Sequence, residues 1–102
     1  MRTPVLIAAT ATPGTTIHTA HATLNDRIYC AFANLDTSNC TLTVEWGGVT
    51  DPDNLLIKGY TLGLSGSPEW LVYGQPLTNS LLAKAFASVT NKVTVTGWVV
   101  RA

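Results

Sequence analysis

The side chains of this 102-residue chain that could do chemistry are two histidines, two cysteines, a scatter of serines, two aspartates around a proline, and three tryptophans. His18 and His21 suit a metal, but a spacing of three puts them on opposite faces of a strand. No third His, Cys or carboxylate ligand lies near them. They read as ordinary strand histidines. Asp51 and Asp53 flank Pro52 and suggest Ca²⁺, yet that ion wants six or more oxygens, so they read as solvated turn acids. Ser38, Ser65, Ser67, Ser80 and Ser88 fall in turns or at strand ends, with no motif setting a hydroxyl beside a base. The expectation is a non-enzyme with no catalytic residues, no metal and no cofactor.

The tryptophans raise a different chemistry, since an exposed indole can stack on a sugar ring or anchor a protein interface. Trp46 shares the parity of Leu42 and Val44 and is expected in the core. Trp98 falls on the opposite parity to Val93, Val95 and Val99, so it is expected outside the core, at an interface. Trp70 follows Pro68-Glu69 and has no parity to assign it.

Composition narrows the partners. Apolar residues make up 46% and charged residues only 12%, about half the usual share, with a mean hydropathy of +0.23. A surface so poor in charge is suited to lying against other protein. Six basic and six acidic residues cancel, and Arg2, Arg27, Lys58, Lys84, Lys92 and Arg101 never cluster. Nucleic-acid binding needs a dense basic footprint, which is not written here. Zero net charge removes self-repulsion and eases self-association. The apolar stretch 4–9 is far short of the roughly 20 residues that cross a bilayer and too short for a signal core. It is expected to be a first strand, made without export and without membrane contact.

The elements that must position these residues are strands. Thr, Val, Leu, Ile and aromatics recur in short runs cut by Gly, Pro, Asn and Asp, and no long window keeps a helical period. One all-β domain over residues 1–102 follows, an antiparallel β-sandwich or jelly-roll-like small barrel of about eight strands. The strands are expected at 5–10, 15–22, 27–33, 40–46, 54–60, 70–73, 80–88 and 92–101, with the Gly-rich stretch 63–68 before the sixth.

Alternation sets the faces. Ile28, Cys30 and Phe32 share one parity, Cys40, Leu42, Val44 and Trp46 another, and Tyr29, Ala31, Thr41, Thr43 and Glu45 make the more polar side. With residues 34–39 read as a hairpin loop about Leu35, Cys30 falls opposite Cys40 and Ile28 opposite Leu42. A cross-strand disulfide would close about ten residues and contribute about 2–3 kcal/mol. A reducing cytoplasm favours two buried free thiols instead. The last two strands are expected to meet across 89–91. Val93 and Val95 point inward there, and Gly97 marks a bulge or a close backbone approach. In the seventh strand Leu82 and Phe86 share a face with Lys84, while Ala83, Ala85 and Ala87 share the other. One face is core and the other an interface, which makes Leu82, Phe86 and Trp98 the candidate interface residues.

The succession Ile17-His18-Thr19-Ala20, then 34–37, then Leu42-Thr43-Val44-Glu45-Trp46-Gly47-Gly48 resembles a group of small tailed-phage proteins. Gly74, Pro76, Leu77 and Asn79, then Ala85-Phe86-Ala87, then the closing Gly-aromatic-Val step within 93–101 extend the match over nearly the whole chain. The resemblance implies a multi-copy virion structural protein assembled in the host cytoplasm, of the capsid decoration or cement kind. Its implied partners are copies of itself, as a homotrimer, and the major capsid protein or another virion protein. A tail, neck or fibre component, or a carbohydrate-binding β-sandwich module, is the alternative.

Overall fold

The computed structural model describes residues 4–64 and 66–102, and Ser65 and Arg2, named above, lie outside them. Eight strands form: β1 Val5–Ile7, β2 Thr15–Thr19, β3 Asp26–Asn34, β4 Cys40–Trp46, β5 Leu55–Leu62, β6 Glu69–Leu77, β7 Leu82–Ala87 and β8 Val93–Arg101. All ladders are antiparallel and divide into two sheets, β1-β8-β3-β6 (sheet A) and β2-β7-β4-β5 (sheet B). The pairs β1–β8, β2–β7, β3–β6 and β4–β5 are those of one long two-stranded ribbon with its hairpin at residues 47–54. Rolling that ribbon up adds the β8–β3 and β7–β4 ladders. The result is a jelly-roll sandwich. The sheets do not close into a barrel, and there is no helix among the described residues.

Strand parity explains the core. Ile28, Cys30 and Phe32 of β3, with Val93 and Val95 of the neighbouring β8, pack in one cluster with Leu42 and Val44 of β4 in the other sheet, all inaccessible to solvent. Ala83, Ala85 and Ala87 supply the inner face of β7. Trp46 is only half-buried at the edge of this core, where its indole N–H donates to the Pro76 carbonyl at 3.0 Å. Gly97 holds a close approach: a Cβ there would lie 1.8 Å from the Tyr29 carbonyl oxygen.

Two connections differ from the sequence reading. The stretch 34–39 read as a hairpin loop is not one, because β3 belongs to sheet A and β4 to sheet B. The chain crosses between the sheets there. Asn34 pins the crossing, donating from Nδ2 to the carbonyls of Ser38 (3.1 Å) and Leu62 (3.2 Å) and accepting from the Asp36 amide (2.9 Å). Residues 88–92 cross back from β7 to β8 beside it, with Leu35 N–H on the Lys92 carbonyl at 2.7 Å. Cys30 and Cys40 are therefore not cross-strand neighbours. Cys30 pairs with Gly97 and Val72, Cys40 pairs with Leu62, and both are buried free thiols.

Candidate functional site

The outer face of sheet A carries an aromatic cluster built by register. Tyr29 lies in mid-β3 with Trp98 directly opposite on β8 and Tyr73 directly opposite on β6. Tyr29 and Trp98 stack, with ring centroids 5.2 Å apart and planes 15° from parallel. Trp70 meets Trp98 edge-on at 5.2 Å and 61°. Ala31, the register partner of Trp70, points to the same outer face yet is only 1% exposed. The alanine is covered while both indoles remain open.

Irregularity in β6 makes the arrangement possible. The register slips between Ile28 and Tyr29, leaving Gly74 as an extra residue with φ +73°. A side chain at Gly74 would meet the Tyr29 hydroxyl at 2.8 Å, so glycine serves both the left-handed turn and the room for that ring. A second slip between Cys30 and Ala31 brings Trp70 level with Ala31.

Trp70, Trp98 and Tyr73 stay 39%, 49% and 70% exposed. At about 200 Å² for each aromatic side chain, they leave roughly 300 Å² of ring surface in solvent. Val100 and Leu6, also on outward positions of this sheet, extend the apolar area. A patch of this size on a small domain is often functional. Arg27, opposite Val100 and Pro76, is a charged neighbour of the patch in the ladder.

The candidate interface residues do not form one surface. Trp98 belongs to the sheet A cluster, whereas Leu82 and Phe86 lie half-buried on the outer face of sheet B, across the sandwich. Sequence reasoning missed Tyr29, Trp70 and Tyr73 as companions of Trp98. The strand parities of Tyr29 and Trp98 point outward, but only the β3–β8 and β3–β6 registers bring the rings together.

The histidines have structural work, reached through an unforeseen charged node. A bulge at Ile17 sets His18 opposite the inward-facing Ala83, so its Nε2 reaches Asp26 Oδ2 of the other sheet at 2.7 Å. Asp26 has no solvent exposure. It also accepts from Arg101 Nε (2.6 Å) and Nη2 (2.8 Å) and from the His21 amide (3.2 Å). Arg101 above all holds the Asp26 carboxyl well below the usual carboxylate range. Burial pushes it back up, and His18 and the His21 amide lower it further. The His21 ring Nδ1 accepts the amides of Thr23 and Leu24, both at 3.0 Å, and shapes the turn before β3. Asp51 pairs at the surface with Lys58 at 2.7 Å, and the Ser88 hydroxyl accepts the Thr41 amide at 3.0 Å. Among the described residues, no group of three or more His, Cys, Asp or Glu is placed to hold a metal ion.

No family model matches the chain, and no curated protein or solved structure is significantly similar to it. The resemblance read from the sequence therefore stands on its own residues alone.

Proposed function

We propose that this chain is a non-enzymatic structural subunit that docks through the outer face of sheet A. The setting implied by the resemblance is a tailed-phage particle, in which the chain acts as a decoration or cement protein. The observation that carries the docking reading is the Tyr29–Trp70–Tyr73–Trp98 cluster, open to solvent on a chain otherwise poor in charge. Such rings are the preferred anchors of protein interfaces. A stable interface buries about 800 Å² per partner, so the aromatic patch would form its centre and the flanking threonines of β8 its rim. Repetition of that contact about a three-fold axis gives the homotrimer, and a subunit bridging neighbouring shell proteins adds contacts that a swelling shell must break.

The same rings favour a second reading. Exposed indole and phenol faces on an open sheet can stack on sugar rings, as in a carbohydrate-binding module. The two readings separate in one comparison of the parent chain with a Trp70→Ser/Trp98→Ser variant. Sedimentation equilibrium should show the parent self-associating, or binding to particles stripped of it. The variant should be weakened at least ~30-fold, the loss of one anchor worth about 2 kcal/mol. A parent that stays monomeric and ignores particles, but whose tryptophan fluorescence titrates with sugars, would replace the structural reading with the carbohydrate one.

A further inference from the structure

The outer face of sheet B carries a feature independent of the aromatic cluster. Between β4, β5, β7 and the β1–β2 connection lies a groove of about 310 Å³ walled by Phe86, Leu55 and Val49. Glu45 and the Asp51–Lys58 pair also line it.

Glu45 is the unusual member. By parity it points outward from β4, yet it has no solvent exposure, because the β1–β2 connection folds over it. Its Oε1 accepts the Gly14 amide at 2.6 Å and its Oε2 accepts the Thr12 hydroxyl. Both donors are neutral. Among the described residues no Lys, Arg or His side chain lies within ion-pair distance of it. Lys84 is its cross-strand partner, but that side chain lines a separate depression of about 200 Å³ beside Gly47 and Leu81. Buried carboxylates are normally paired with a cation, because desolvation of a lone charge is costly.

We propose that this groove seats a cationic side chain of a partner protein, an arginine or lysine, with its methylenes on Phe86, Leu55 and Val49 and its charged head at Glu45. Charge complementarity argues for this occupant over a neutral one. A long basic side chain has the apolar stem and the cationic tip that this wall and this acid call for, and a guanidinium can also lie over the Phe86 ring. Also in the groove lining, Asp51 is held by Lys58 in an exposed pair, which contributes little and exchanges readily. The covering connection is closely packed at one end and exposed in its middle. Gly14 packs so closely that a Cβ there would meet the Ala85 backbone at 2.5 Å, whereas Ala11, Thr12 and Pro13 are exposed. An arriving cation takes the place of the Thr12 hydroxyl on Oε2 while the Gly14 amide keeps Oε1.

The test is a titration of ¹⁵N-labelled protein with N-acetyl-arginine amide, and with its neutral isostere N-acetyl-citrulline amide, followed by amide shifts. Arginine should shift the Gly14 and Gly59 amides saturably, and citrulline should bind at least ~10-fold more weakly. Glu45→Gln keeps an acceptor for Gly14 and a donor for Thr12 but removes the charge, and should lower arginine affinity by a similar factor. Thr12→Val removes the competing hydroxyl and should raise it. No saturable shift around the groove with arginine, or equal affinity for arginine and citrulline on the parent chain, overturns the proposal even if a variant fails to fold.

Discussion

Asp26 offers the sharpest test of how the sandwich is held shut, because it joins three separate stretches of chain. Substitution Asp26→Asn keeps the shape but removes the charge and turns one acceptor into a donor facing Arg101 and His18. Four donors reach the carboxylate, two of them from one guanidinium. Hydrogen bonds to a charged group contribute about 1.5–3 kcal/mol each, and removing one partner of a buried pair costs about 3–5 kcal/mol. Asp26 sits at the end of the sandwich, and the Arg101 side chain is 45% exposed, so the stranded guanidinium can return to water. The low end applies, at about 3 kcal/mol. For a domain of this size that is a fall in Tm of roughly 12–24 °C. Urea unfolding followed by tryptophan fluorescence would measure it. The pH dependence adds a second signature. The folded carboxyl titrates below its unfolded value near 3.9, so its stabilisation is fully present above about pH 5 and is lost as pH falls through and below the carboxylate range. Asp26→Asn should lack that component of the acid transition. A variant within about 1 kcal/mol of the parent, with an unchanged acid transition, would refute the role given to this node.

Further outcomes follow from the core and the close contacts. Burial pushes the Cys30 thiol up to about 12 and raises Cys40 as well, so both should resist a disulfide reagent until the protein unfolds. Rapid labelling of either thiol in the native state would contradict the packing. Gly97→Ala drives a methyl group into the Tyr29 carbonyl and should destabilise by more than about 2 kcal/mol or abolish folding, read by denaturant midpoint. Phe32→Ala, at the largest fully buried side chain, should cost about 3–5 kcal/mol in the same assay.

Much of the fold is written in two-residue alternation, and its limits are equally physical. Leu42, Val44, Val93, Val95 and Cys30 are read as core from parity alone, and all are buried. Parity does not say which strand is the neighbour. In a sandwich both sheets point inward to the same core, so a hairpin at 34–39 and a crossing between sheets give the same inward pattern. The jelly roll takes the crossing. Asp26 shares parity with Ile28 and Cys30, and Arg101 with Val93 and Val95, so an opposite-charge pair on inward positions at strand ends was a legible signal. Glu45 shows the converse. Its outward parity reads as solvent-facing, and only the distant residues Thr12 and Gly14 reveal that it is buried. The aromatic cluster required registers that slip twice along β6, and no local pattern encodes such slips.

The docking reading turns on whether the sheet A face is covered where the chain works. Hydroxyl-radical footprinting of Trp70, Tyr73 and Trp98, on the isolated monomer and on the chain within its native assembly, measures this directly. The expected result is strong protection of all three rings on assembly, with the rim at the far end of sheet B less changed. Rings that oxidise as fast in the assembly as in the isolated chain, while another face becomes protected, would contradict the assignment of this surface.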